Sequence, residues 1–128
     1  MAAIRVLVVD DNQGIRLGVR LYLEACGFMV HDAHDCASAI ELLGTGTFDV
    51  GVLDYALPDG TVLGVLERMA ALQPAMKAIV LTAYPSATLA EATLGSGASR
   101  FLTKPIDLSV LRAIVEELAN PGETPTDA

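Results

Sequence analysis

Positive charge is scarce in this sequence. Its 128 residues carry eight Lys+Arg against sixteen Asp+Glu, a formal charge of −8, and only Lys77 and Lys104 are lysines. Holding nucleic acid unaided needs clustered Lys/Arg opposite phosphates, so that class is disfavoured, and an anionic membrane surface is disfavoured for the same reason. Long apolar runs are missing too. The longest uncharged stretch, Ala78 to Ala90, contains Pro85 and falls short of the roughly 18 residues of a bilayer span. The start, MAAIRVLVVDD, has no basic segment followed by a long apolar stretch and a small-residue cleavage site, so no signal peptide is expected. Two cysteines, Cys26 and Cys36, make no disulfide framework, and no Cys/His spacing fits zinc. They are expected as small buried or half-buried thiols in a reducing cytosol. No G-x-G-x-x-G or Walker-type phosphate loop occurs either.

What is present is apolar. Hydrophobic residues make up 52% of the chain, enough to build one core and too much for disorder, in a length that suits one domain. Short β-branched runs and helical patterns alternate five times. The runs are Ile4–Val9, Phe28–Ala33, Val50–Leu53, Ala78–Leu81 and Phe101–Leu102. Between them Ile15, Val19, Tyr22 and Cys26 recur at helical spacing before Gly27, and Asp35 can cap a helix carrying Ala39, Ile40 and Leu43. Leu63, Leu66 and Met69 mark a third helix, Ala87, Ala90 and Leu94 a fourth, and Leu108, Leu111, Val115 and Leu118 a fifth. Pro58-Asp59-Gly60 reads as a turn. Five βα units imply a doubly wound α/β domain with one parallel sheet and helices on both faces. The first and third runs are near-continuous Val/Leu/Ile, as central strands require. Residues 1–119 form this domain in our reading, and 120–128 a polar tail or linker.

In open parallel sheets the ligand site lies beyond the C-terminal strand ends. Those positions hold Asp10 and Asp11 after the first strand, Asp54 at the end of the third, Thr82 after the fourth and Lys104 after the fifth. Three carboxylates at one point repel one another unless a counter-charge is present. A hard divalent cation such as magnesium, which takes oxygen ligands and phosphate oxygens, supplies one. Lys104 adds a fixed positive charge, Thr82 a hydroxyl donor, and a carboxylate can accept a phosphoryl group as nucleophile. The set reads as a site for phosphoryl transfer onto an aspartate, where positioning and charge neutralisation do most of the catalysis.

The segments VLVVDDN (6–12), VLDYALPDG (52–60), LTAYPS (81–86) and FLTKPID (101–107), each after the appropriate strand, resemble the receiver domains of bacterial two-component response regulators. The likeness covers about residues 3–119. It implies the flavodoxin-like (βα)5 fold with strand order 2-1-3-4-5. It implies Asp54 as phosphoacceptor, magnesium (or manganese in its place) held by Asp10, Asp11, Asp54 and the backbone carbonyl of Ala56, and phosphoryl contacts from Thr82 and Lys104. Thr82 and Phe101 become the switch pair, and the Lys104-Pro105 bond is expected cis. The implied partners are a histidine kinase or a histidine phosphotransfer protein, and an effector reached through the face of the fourth helix, fifth strand and fifth helix. The setting is cytoplasmic, with no direct nucleic-acid or membrane contact, and a homodimer is allowed. The chain is then a phosphoacceptor and not an enzyme on separate substrates. It departs from the family pattern in Phe101, where Tyr is commoner, in Val62, where Gly is frequent, and in the large Tyr84, expected to shield an acyl phosphate.

Each residue also has a plainer role. Asp10-Asp11 alone can cap a helix, Asp54 can end a strand in a turn, Asp59-Gly60 can be turn only, and Glu116-Glu117 a solvated face. His31 and His34 are expected at the surface without a chemical role. Two further functions compete. A flavin carrier of similar fold would place its phosphate against three acids, and a hydrolase using the same aspartate would lack a cap domain in so short a chain.

Overall fold

The computed structural model describes residues 3–120. Its elements are β1 (Arg5–Val9), α1 (Gln13–Ala25), β2 (Met29–Ala33), α2 (Cys36–Thr45), β3 (Val50–Asp54), β4 (Ala56–Leu57), β5 (Gly60–Thr61), α3 (Val62–Leu72), β6 (Lys77–Thr82), α4 (Ala87–Gly95), β7 (Arg100–Thr103) and α5 (Leu108–Ala119). Five strands form one sheet in the order β2-β1-β3-β6-β7, all pairs parallel. With β6 and β7 as the fourth and fifth main strands, this is the expected doubly wound order. The small addition is the antiparallel pair β4-β5, which brackets Pro58-Asp59, with Gly60 already in β5. The proposed tail is described only as far as Asn120; residues 121–128 lie outside the described residues.

The central strands behave as their composition dictates. Every residue of β3 is buried, because α-helices cover both faces of the sheet. Side chains alternate across the pleat. Val6, Val8, Val50, Val52, Ile79 and Leu81 face Val19 and Leu23 of α1 and Leu111, Val115 and Leu118 of α5. Leu7, Val9, Leu53, Ala78 and Val80 face α2 and α3. A register slip of one residue in β1 would exchange these two sets between cores of different shape, so the register is well specified.

Helix starts are set by local acceptors. Asn12, not the Asp10-Asp11 pair, caps α1, its Oδ1 accepting from Ile15 N at 2.9 Å. Asp35 caps α2 as expected, accepting from Ser38 N at 2.8 Å. Gly27 follows α1 at φ 96°, a left-handed angle that glycine adopts without Cβ strain. Helix α4 departs from the sequence pattern. Leu94 is 46% exposed, and the buried residue of the helix is Thr93. Its hydroxyl donates to Leu89 O at 2.6 Å, so the polar atom is satisfied inside its own helix. Alanine and leucine mix with Thr88, Glu91 and Thr93 around α4 and leave no periodic stripe to orient it, and tertiary packing decides. Among the described residues no helix is long and apolar enough to cross a membrane.

Candidate functional site

The sheet topology brings the C-terminal ends of β1, β3, β6 and β7 to one edge, and the acids meet there. Ligand oxygens of Asp10, Asp11 and Asp54 all lie within 4.8 Å of one another. Asp10 and Asp54 are buried, with 4% and 8% exposure, while Asp11 is exposed. Lys104 reaches in from the loop after β7. Its Nζ donates to Asp10 Oδ2 at 2.7 Å and lies 3.3 Å from Asp54 Oδ2. The Lys104-Pro105 bond is cis, and Lys104 N donates to Thr82 O at 2.8 Å.

Electrostatics here are finely opposed. Burial and then the neighbouring Asp10 charge push the Asp54 carboxyl above the ordinary carboxylate range, with Lys104 acting in the other direction. Burial alone would lower the Lys104 ammonium, but its hydrogen bond to Asp10 and the charges of Asp10 and Asp54 outweigh that and raise it. One cation thus faces two buried acids and one exposed acid. An all-oxygen donor set with surplus negative charge fits a hard divalent cation. Asp10, Asp11 and Asp54 would hold it, joined by the Ala56 carbonyl at the first position of β4.

Asp10 is fixed from several sides. Its N–H donates to Ala33 O at 3.1 Å, and its Oδ1 accepts from Asn12 N at 2.9 Å. Its carbonyl accepts from Arg16 Nη1 at 2.8 Å. Thr82 is buried at the end of β6, one residue after Leu81, the register partner of Asp54. Its Oγ1 accepts from Tyr84 N at 3.1 Å, which leaves the hydroxyl hydrogen free to donate elsewhere. Phe101 is half-buried and packs on the core cluster that holds Val80 and Ala98. This is the inward position expected of a ring with no hydroxyl.

Two sequence expectations change. Tyr84 is 84% exposed, so in this conformation its ring stands in solvent and does not shield the acid cluster. Asp59 is more than a turn residue. Its two carboxylate oxygens accept from Cys36 N at 2.8 Å and Ala37 N at 3.0 Å, tying the loop after β3 to the start of α2. Those bonds hold Asp59 below the ordinary carboxylate range. Burial, and then Asp59, push the Cys36 thiol up to about 11. Glu116 and Glu117 lie on a solvated helix face, as expected, and pair there with Arg112 and Arg100. Val62 is fully buried at the head of α3, its N–H donating to Tyr55 O at 2.9 Å; a glycine there would lose that packing. His31 and His34 are exposed, as expected. Sequence reasoning did not find Arg16 or its partner Asp32 beside the site. They stand sixteen residues apart on different elements, and no spacing rule links them.

Comparison with known proteins finds one family and one fold. The family model described as response regulator receiver domain matches residues 6–116. The chain is 35% identical to the response regulator protein PilR of Pseudomonas aeruginosa, over 99% of this chain and 30% of PilR. Across three curated relatives it spans 30% to 61% of their length. A CheY-like receiver domain protein from Methanospirillum hungatei superposes with TM-score 0.87 at 28% identity, covering 95% of this chain and 100% of that one. A response regulator from Burkholderia pseudomallei, solved with a phosphorylated aspartic acid, a calcium ion and citrate, superposes with TM-score 0.84 at 28% identity, covering 93% and 70%.

Proposed function

The chain belongs to the response regulator receiver domain family of two-component systems, and from that premise we propose that Asp54 is the acceptor of a phosphoryl group donated by a partner histidine. The observation that carries the reading is the buried Asp54 carboxylate beside Asp10, Asp11 and Lys104 at one sheet edge. The phosphorylated aspartate and calcium of the Burkholderia pseudomallei protein support it by analogy.

In this reading an Asp54 oxygen attacks phosphorus in line. The O–P bond forms as the P–N bond to the donor imidazole breaks, and the imidazole leaves with the electron pair. Magnesium, or manganese in its place, supplies positive charge that neutralises the phosphoryl oxygens when bound at Asp10, Asp11, Asp54 and the Ala56 carbonyl. Lys104 is within reach of Asp54 and can turn to a phosphoryl oxygen. Thr82 can donate its free hydroxyl hydrogen to another. The Tyr84 N–H is bonded to Thr82 Oγ1, so a shift of Thr82 pulls on the loop that leads to Ser86, the cap of α4. Helix α4 is lightly anchored, with Thr93 its one buried residue. The face of α4, β7 and α5 is therefore the surface whose partner affinity changes, with Phe101 at its inner side. An effector domain or protein, or a second copy of the chain, is the partner of that face. The chain serves as acceptor and switch, not as an enzyme on other substrates, and its kinase partners set a cytoplasmic location.

Incubation with magnesium and a small phosphodonor tests this. Intact-mass analysis should show one added phosphoryl group on the wild type and none on Asp54→Ala. Modification of Asp54→Ala removes Asp54 as the acceptor.

A further inference from the structure

Arg16 sits at the edge of the acid cluster without entering it. Its Nη1 donates to the backbone carbonyl of Asp10 at 2.8 Å, and its Nε donates to Asp32 Oδ2 at 2.8 Å. Both side chains are largely buried, with 15% and 17% exposure. Asp32 is itself held by Arg20, which continues to Glu24 at 3.2 Å. The Asp10 N–H is already bonded to Ala33 O, next to Asp32 on β2. Both peptide groups flanking Asp10 are thus fastened to β2, one directly and one through Arg16.

We propose that Arg16, seated by Asp32, is a positioning residue that clamps the Asp10–Asp11 peptide so that both carboxylates face the magnesium site. The proposal rests on the reading of that cluster as a magnesium site. Its logic is chemical. A guanidinium beside a cation site opposes the incoming charge, so electrostatics alone would disfavour one there. What a guanidinium offers and a lysine does not is a rigid fork that meets two acceptors at fixed angles. Here the two acceptors are the carbonyl that links the two acids and a carboxylate on the adjacent strand. Fixing that peptide removes the freedom that two adjacent acids would otherwise lose on binding.

The two roles predict opposite signs for Arg16→Met. Magnesium titration of the whole metal-free chain, followed by amide NMR shifts, gives a dissociation constant for each variant. A clamp predicts that Arg16→Met and Arg16→Lys each raise it, by about tenfold as for outer partners of metal ligands. Asp32→Asn should shift it the same way by less, and the double variant Arg16→Met/Asp32→Asn should be no weaker than Arg16→Met. A charge effect predicts tighter binding in Arg16→Met, weaker binding in Asp32→Asn and no change in Arg16→Lys; that pattern overturns the clamp. Amide exchange in metal-free protein is the second readout. Exchange at Asn12, whose N–H bonds Asp10 Oδ1, should quicken in both Arg16 variants while Val8 and Val52 stay protected. Unchanged exchange at Asn12 overturns the clamp as well. A wild type that ignores magnesium while Arg16 variants loosen Asn12 would leave the clamp standing and refute the metal reading instead.

Discussion

Asp54→Asn should make the metal-free protein more stable and the magnesium-loaded protein less stable than wild type. Without metal, Asp54 faces two other carboxylates whose ligand oxygens lie within 4.8 Å and one ammonium at 3.3 Å. At an effective dielectric near 20, each repulsion at that distance costs about 3.5 kcal/mol and the attraction returns about 5 kcal/mol. The pair of repulsions therefore outweighs the lysine by roughly 2 kcal/mol. Asp11 is exposed and its share is screened, which brings the net to about 1 kcal/mol. Asparagine keeps the shape and removes the charge. For a domain of this size that gain corresponds to a melting temperature about 3–5 °C higher.

Magnesium inverts the order. A ligand that binds only the native state stabilises it by about 2.7 kcal/mol at one hundred times its dissociation constant. Wild type receives that stabilisation, while Asp54→Asn lacks a charged ligand and receives much less. Thermal unfolding of both proteins, in chelator and across a magnesium series, should therefore show two curves that cross. A variant that melts below wild type in chelator would mean that the Lys104 attraction dominates and that the acids are structural. Equal stabilisation of both proteins by magnesium would place the ion elsewhere.

Two other expectations concern the supports of the site. Gln73 bridges three backbone groups of the segment before β3, accepting from Phe48 N at 2.9 Å and donating to Leu43 O at 2.9 Å and Gly46 O at 2.6 Å; Gln73→Ala should cost about 2–3 kcal/mol, read as a melting point roughly 10 °C lower. Asp59 is held below its ordinary value by the Cys36 and Ala37 amides, so the stability it lends is present above the unfolded carboxylate pKa and is lost as pH falls through the lower folded value. Asp59→Asn should thus melt below wild type at neutral pH, with the difference closing in acid, and a constant difference across pH would refute the link. The same variant should speed alkylation of Cys36, whose thiolate fraction at pH 8 is only about one in a thousand when its pKa is about 11.

The parts of this molecule legible in the sequence are those that topology forces. Near-continuous Val/Leu in 6–9 and 50–53 marks strands covered on both faces, and parallel strands must send their C-terminal ends to one edge. Asp10, Asp54, Thr82 and Lys104 therefore converge whatever the helices do in detail. Contacts between elements with no shared period were not legible. Arg16 finds Asp32 across sixteen residues, and Asp59 finds Cys36 across twenty-three, through loops whose path only packing fixes. The choice of Thr93 over Leu94 as the buried side of α4 has the same origin. Apolar and polar residues there share no helical period, so the helix turns to whichever face fits β7 and the neighbouring core.

The scarcity of lysine bears directly on how the proposed switch is set. Lys104 is the one lysine at the acid cluster, and it lies nearer Asp10, at 2.7 Å, than Asp54, the proposed acceptor, at 3.3 Å. Its nearest partner is thus an acid other than the proposed acceptor. A phosphoryl group on Asp54 brings more than one negative charge and several new acceptor oxygens. The preference then reverses, because the added charge at the acceptor exceeds the single charge of Asp10. With no second lysine to fill the place, the reversal must move Lys104 itself, and its backbone N–H is bonded to the carbonyl of Thr82. In the proposed reading, movement of the cation and of the β6 end are thereby coupled, so the charge added at Asp54 also shifts the loop that leads to α4.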